Sequence, residues 1–428
     1  MNTIRIANGR ILDPANQRDE FSDLWILDGR IAPVDFRPTR KADEEIDAAG
    51  CVVAPGFIDI HVHFREPGQH HKETIATGSR AAAAGGFTSV VVMPNTSPVV
   101  DNASTITLIR EKARASACVN IFCAGAITKG LAGEELAPYG SMSRAGIVAL
   151  TDDGQCVQNH EVMRRALEYA RMFDLVVMDH FQDASLTAGA VMHEGEWSLR
   201  LGMPGWPRAG EEMMVARDIM LSELCDTPIH CQHISSCGSV QLLRDARKRG
   251  IAVSAEVCPH HLWFTDEAVQ SFDSNYKMNP PLRSDRDIAA LCEGIADGTI
   301  DILASDHAPH ATYEKEVEFD VAPSGVIGLE TEFAAFNDLL VHRKKIISLD
   351  RLVAMLTINP ARLLKLDRGT LSPNAPADVV IFDPSEEWTY DKEQSFSLAR
   401  NTPFHGTTFR GRVKRTIVGG QTVFNTSQ

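Results

Sequence analysis

The sequence predicts an α/β fold: a (β/α)8 TIM-type barrel with a small β-sandwich-like domain formed by the N- and C-terminal segments. Three observations carry this. Short apolar runs alternate with helical stretches through the middle of the chain. Histidines and aspartates recur where those runs end, and the strand ends of a barrel converge on one mouth. Both ends of the chain read instead as short strands separated by tight turns.

In order, the strand candidates of the middle are 57–63, 88–93, 120–127, 146–152, 175–179, 228–233, 252–257 and 300–304. Helical stretches lie between most of them, at 74–84, 160–172, 211–224, 239–249 and 285–296. Alternation alone does not distinguish a closed barrel from a doubly wound open sheet. Strand-like runs at 4–7, 23–27 and 30–34 open the chain, with Asn8-Gly9 and Asp28-Gly29 as turns. Runs at 377–382, 412–418 and 421–424 close it, and Gly419-Gly420 reads as a two-residue hairpin turn. The expected division is a barrel over 55–365 and a composite β domain from 1–54 and 366–428.

The 428 residues are 44% hydrophobic and 23% charged, an ordinary balance for a globular chain that buries a large core. A net charge of −15 argues against nucleic acid or an anionic membrane as partner. The nine cysteines are an odd number without a Cys-x-x-Cys pair and read as reduced thiols. No apolar run reaches membrane-spanning length and the first residues lack the apolar core of a signal peptide, so the expected compartment is the cytoplasm.

The chemistry begins at Gly56-Phe57-Ile58-Asp59-Ile60-His61-Val62-His63-Phe64-Arg65. Residues two apart on a strand share a face, so His61 and His63 project together, as two imidazoles holding one metal ion must. Arg65 continues the alternation and brings a guanidinium beside that metal, which suits a substrate with a carboxylate. Alone, a His-x-His is equally well a pair of solvent-facing side chains. Four more strand ends decide it: Asp152-Asp153, Asp179-His180, His233, and Ser305-Asp306-His307. Individually, His180 suits a core histidine, Asp153 a turn residue before Gly154, His233 a backbone hydrogen-bonder and Asp306 a turn residue. Their coincidence at strand ends gives enough imidazoles and carboxylates for one or two zinc-like divalent ions. Asp153 is the expected bridging ligand. Asp306 is placed to accept a proton from water and deliver it to a leaving nitrogen. This is the layout of an amide or ester hydrolase.

At these residues the chain resembles the dihydroorotases of the long bacterial type, in the amidohydrolase superfamily. The resemblance rests on His61-Val62-His63-Phe64-Arg65-Glu66-Pro67-Gly68, Met93-Pro94-Asn95-Thr96, Asp152-Asp153-Gly154, Lys277-Met278-Asn279-Pro280-Pro281-Leu282-Arg283, Ser305-Asp306-His307-Ala308-Pro309-His310 and Gly328-Leu329-Glu330-Thr331, in order along the chain. It implies reversible, zinc-dependent hydrolysis of the cyclic amide of (S)-dihydroorotate to N-carbamoyl-L-aspartate in pyrimidine biosynthesis. It implies that His61, His63 and Asp306 bind one zinc, that His180 and His233 bind a second, that Asp153 bridges, and that Asp306 moves the proton. Arg65, Asn95 and His310, with His63 close by, match positions that hold the substrate carboxylate. Asn279 matches a ring contact, and Ser324-Gly325 a backbone contact to the ring. A homodimer is implied, with association to aspartate transcarbamoylase left open.

Two departures stand out. The family usually has Cys-Glu or Ala-Glu after the histidine matching His180, where this chain has Phe181-Gln182-Asp183. It usually reads Ala-Pro-Phe-Gly where this chain has Ala322-Pro323-Ser324-Gly325. The polar segment before the latter, 311–323, is expected to form a lid over the substrate. Among rivals, hydantoinases and allantoinases share the His-x-His but typically bridge their metals through a carboxylated lysine on strand four, and 146–154 contains no lysine. A non-catalytic, dihydroorotase-like subunit supporting aspartate transcarbamoylase would lose metal ligands, and none is missing here.

Overall fold

The computed structural model describes residues 2–38 and 40–426. Of the expected composite domain, residues 1, 39, 427 and 428 lie outside that description. The centre is an eight-stranded parallel sheet whose spatial order follows the chain. Its strands are Phe57–Val62, Phe87–Val92, Asn120–Gly125, Ile147–Leu150, Val176–Asp179, Ile229–Cys231, Val253–Val257 and Ile302–Leu303. The cylinder closes where Val62 bridges His307 in parallel and the His63 N–H donates to His307 O at 2.9 Å. That closure separates a barrel from an open sheet.

Strands covered on both faces need apolar residues at nearly every position, and Phe57–Val62 and Phe87–Val92 are buried throughout. Ile58, Ile60, Val91, Met93, Ala124, Ala149, Val176, Met178 and Ile302 form one cluster. Residues drawn from so many strands meet only inside the barrel. The outward residues, such as Phe57, Phe87, Val90 and Val177, pack under the helices. Helix His160–Arg171 shows how a helix is specified: Asn159 Oδ1 accepts from the Glu161 and Val162 N–H groups, and Met163, Ala166, Leu167 and Ala170 form the buried stripe. Between strands five and six the chain inserts helix Glu196–Leu201 and a two-stranded sheet, Met192–His193 with Gly205–Trp206, ahead of the expected helix, which runs Ala209–Cys225.

The two ends build two further sheets. One contains Thr3–Ala7, Leu24–Leu27, Arg30–Ile31 and Glu44–Asp47. The other interleaves the termini: Val379–Thr389 runs antiparallel to Val52–Pro55, which pairs in parallel with Arg10–Asp13. Ile4, Ile6, Ile26, Val53, Val379, Ile381 and Ile417 form a core shared between these sheets. The Gly419-Gly420 turn joins Thr408–Val418 to Gln421–Asn425, with both glycines at positive φ (55° and 77°), as a tight hairpin requires. The strand expected at 30–34 stops at Ile31, two residues before Pro33, which lacks the N–H a ladder needs. Among the described residues no helix is long and apolar enough to cross a membrane.

Candidate metal centre and active site

His61, His63, Asp153, His180, His233 and Asp306 meet at the mouth formed by the strand ends. They arrive there less simply than strand alternation predicts. The first strand's register shifts between Asp59 and Val62, and Arg65 leaves the pleat at φ 57°. Asp306 and His233 also adopt positive φ, 46° and 29°. Non-glycine residues in this region carry backbone strain that the surrounding structure must offset.

Asp153 is the hub. Its Oδ1 lies 3.2 Å from His61 Nε2, 3.7 Å from His180 Nδ1 and 3.9 Å from His233 Nε2, and its Oδ2 lies 3.4 Å from His63 Nε2. Asp306 Oδ1 is 3.1 Å from His63 Nε2 and 3.6 Å from His61 Nε2. His180 Nδ1 and His233 Nε2 face each other at 2.8 Å. Two overlapping groups, His61–His63–Asp306 and His61–Asp153–His233, bring their ligand atoms within 4.8 Å of one another.

The donors fit a cation. His61 Nδ1–H donates to Glu256 Oε1 at 2.6 Å, which leaves Nε2 as the lone-pair nitrogen. That Nε2 is buried without a hydrogen-bond partner and faces two carboxylates. Burial alone would lower the His61 pKa, yet Glu256, Asp153 and Asp306 raise it well above normal, so the field here demands positive charge. His180 and His233 respond oppositely: burial lowers both, and neighbouring imidazoles lower His233 further, keeping them in the neutral, ligating form. Asp153 is held far below the carboxylate range against the cost of burial, chiefly by His61.

The surroundings fix the ligands. His63 Nδ1–H donates to Asn95 Oδ1 at 2.9 Å, and Asn95 Nδ2 donates to Asp153 Oδ2 at 3.2 Å. The support that Glu256 and His230 give was not foreseen. Glu256 holds His61 through one oxygen and pairs with His230 Nε2 at 3.0 Å through the other. Burial raises the Glu256 pKa, but His61 and His230 hold it down at about 2. Gln232 Nε2 also lies 3.3 Å from His61 Nδ1, but as a donor facing an N–H it makes no hydrogen bond there. Gln182, at the first departure from the family pattern, accepts from His180 Nε2–H at 3.2 Å and from Asn279 Nδ2 at 3.1 Å. A charged glutamate inside the buried strand Val253–Val257 was the one available signal for Glu256.

One cavity is lined by His63, Arg65, Asn95, Asp153, His180, His233, Asn279, Asp306, His310, Ser324 and Gly325. It therefore gathers every expected substrate contact beside the ligands. Arg65 Nε–H donates to Pro309 O at 3.2 Å, which fixes the guanidinium and leaves its terminal amino groups for a ligand. Loss of solvent lowers its pKa to about 10, so it remains a cation at neutral pH. His310 is neutral: burial, then Arg65 and Lys72, push its pKa to about 2, while Nε2–H donates to Ser324 O at 2.9 Å. Asn279 Oδ1 is buried without a hydrogen-bond partner. Gly325 has φ 128°, and a Cβ there would lie 2.8 Å from Ala308 Cβ and 3.3 Å from His310 Nε2, so no side chain fits. Its N–H already donates to Lys277 O, so Gly325 contributes space rather than a donor.

The segment 311–323, expected as a lid, is tied down rather than an open polar loop, and the residues that line the cavity do not include it. Residues Thr312–Lys315 form a helical turn. Lys315 is buried and donates to Pro323 O at 2.8 Å and Gly325 O at 3.2 Å, and Phe319, within the segment, is buried in a cluster with Met192 and Val269.

A barrel with a His/Asp cluster at its strand ends defines a metal-dependent amidohydrolase. A family model described as Dihydro-orotase-like matches residues 50–239, and one described as Amidohydrolase family matches 222–424. A dihydroorotase from Solibacter usitatus is 51% identical over 417 residues, 97% of each chain. A dihydroorotase from Pelotomaculum thermopropionicum is 50% identical over 98% of this chain and 97% of its own. The chain belongs to the dihydroorotase family. Among solved structures, an L-hydantoinase from Arthrobacter aurescens superposes with a TM-score of 0.88 at 23% identity, covering 99% of this chain and 96% of its own. A dihydropyrimidinase from Brevibacillus agri superposes at 0.87 with 24% identity, covering 100% and 96%. At that identity the likeness is one of fold.

Proposed function

We propose that the chain catalyses reversible hydrolysis of the ring amide of (S)-dihydroorotate to N-carbamoyl-L-aspartate, in pyrimidine biosynthesis. The observation that carries this is the sharing of one cavity by the Asp153-centred cluster and the anchored cation Arg65. Family membership at about half identity over the whole chain supports it. In this reading the metal is zinc, one or two ions and by preference two. His61, His63 and Asp306 would hold one and His180 and His233 the other, with Asp153 placed to be shared between them. When bound, such ions polarise the amide carbonyl and make a water acidic enough to attack near neutral pH.

The chain's own residues do the rest. Asp306 takes the proton of the attacking water and returns it to the ring nitrogen as the C–N bond breaks. Arg65 grips the substrate carboxylate with charge-assisted hydrogen bonds, joined by Asn95 and by neutral His310 once its Nε2–H turns from Ser324 O to the substrate, with His63 alongside. Asn279 Oδ1 accepts a ring N–H, a donor it lacks within the protein. Ser324 and Gly325 wall the ring.

The barrel over 55–365 performs this chemistry, and 1–54 with 366–428 form the composite β domain. A cytoplasmic homodimer, with aspartate transcarbamoylase as a further partner, completes the proposal. The test is turnover by purified, zinc-loaded protein on dihydroorotate, N-carbamoyl-L-aspartate, hydantoin and allantoin. Interconversion of the first two supports the assignment. Turnover confined to hydantoin or allantoin refutes it, and no turnover of any favours the non-catalytic alternative.

A further inference from the structure

The seventh barrel strand runs out into Cys258-Pro259-His260-His261, which takes no part in the reaction above. The ligand atoms of Cys258, His260 and His261 lie within 4.8 Å of one another, and all three residues are buried. The two imidazoles meet edge to face, with centroids 4.3 Å apart. His261 Nε2–H donates to Pro280 O at 2.9 Å, which fixes the tautomer and makes Nδ1 the lone-pair nitrogen. That Nδ1 has no protein partner, and neither has His260 Nε2, although both are buried. Buried polar atoms are nearly always satisfied, so two orphan ring nitrogens beside a thiol call for an explanation. Anchoring one imidazole nitrogen to a backbone carbonyl while the other is left bare is how proteins orient a metal-binding histidine.

We propose that Cys258, His260 and His261 form a further cation site that takes a thiophilic divalent ion of the zinc class. A thiol with two imidazoles is a donor set for such an ion and a poor one for magnesium or calcium. The electrostatics agree. Burial keeps both imidazoles neutral. Burial also raises the Cys258 pKa, and the carboxylates of Asp306, Glu256, Asp59 and Glu332 raise it further, a field that repels a thiolate and attracts a cation. Binding forms the metal–sulfur bond and releases the thiol proton to solvent. The site shares no ligand with the Asp153 cluster. It would clamp the seventh strand's exit to the segment carrying Asn279, because Pro280 follows that residue directly.

Cobalt(II) substitution tests this, because a cobalt–thiolate bond gives a near-ultraviolet charge-transfer band that nitrogen and oxygen ligands do not, and the Asp153 cluster contains no sulfur. The chain has nine free cysteines, so the band must be traced to one of them. The cobalt-saturated wild-type protein is expected to show the band. Cys258→Ala should abolish it and lower cobalt content by about one equivalent per chain. His261→Gln, which keeps an N–H for Pro280 O but removes the bare nitrogen, should release this cobalt to a competing chelator at least ~10-fold more readily. Absence of the band in cobalt-saturated wild-type protein overturns the proposal. So does a band that survives Cys258→Ala, and, if Cys258→Ala does not fold, release of the band-forming cobalt from His261→Gln no faster than from wild type overturns it.

Discussion

Glu256 Oε1 accepts a hydrogen bond from His61 Nδ1 at 2.6 Å in a fully buried pair. The bond selects which nitrogen of His61 turns toward Asp153 and Asp306, and so couples strand seven to the ligand set of strand one. Glu256 also receives the His233 N–H at 3.2 Å, reaching the other end of the cluster.

Glu256→Gln should therefore weaken metal retention by about 10- to 100-fold. A competition titration with a chelator measures it directly. Affinity equal to wild type would show that Glu256 only fills space.

Arg65→Met removes the cation proposed to hold the substrate carboxylate. Charge-assisted hydrogen bonds contribute about 2–3 kcal/mol, so KM for dihydroorotate should rise roughly 30- to 150-fold with a smaller change in kcat. Because the Arg65 pKa is lowered only to about 10, wild-type KM should not rise from loss of this charge between pH 6 and about 9. Steady-state kinetics against pH checks both statements.

Gln182 links His180 to Asn279 through one amide oxygen. Gln182→Ala should loosen both, lowering metal affinity and raising KM together. Gln182→Glu, the family's usual residue type, keeps the acceptor and should restore metal affinity. A KM effect without a metal effect would confine Gln182 to the substrate side.

Acid stability is predicted from Asp287, whose Oδ1 and Oδ2 take a bidentate pair of 2.7 Å bonds from Arg208. Burial raises its pKa, but Arg208, Ser284 and the Cys237 N–H lower it below normal overall. A depressed carboxylate stabilises the fold above its unfolded pKa, near 4, and that stabilisation is lost as pH falls through the folded value. Asp287→Asn should cost about 3 kcal/mol at neutral pH and show a shallower loss of stability below about pH 4. Denaturant melts at pH 7 and pH 3 test this, and equal pH slopes would contradict it.

The barrel was legible because most of the parallel strands are buried on both faces and so read as apolar runs, and because polar metal-ligand types mark the ends of five of them. Closure was not legible, since it depends on the single junction of Val62 with His307. The strands Arg10–Asp13, Glu44–Asp47 and Val52–Pro55 were missed for related reasons. Val52–Pro55 merges in sequence with the first barrel strand, Glu44–Asp47 finds its partner Thr3–Ala7 far back along the chain, and Arg10–Asp13 pairs with the charged, exposed run Arg18–Phe21, which was missed as well. In the site, the strand-end residues announced themselves by position and type. Glu256 and His230 did not, because they act on the ligands from within strands, and only the fold brings them there.

The central claim is that Asp306, within the Asp153-centred cluster, moves the proton. Turnover of dihydroorotate and of N-carbamoyl-L-aspartate by Asp306→Asn, with metal content measured and matched to wild type, tests it most directly. The account predicts a loss of at least ~100-fold in both directions. Near wild-type turnover in either direction would contradict it.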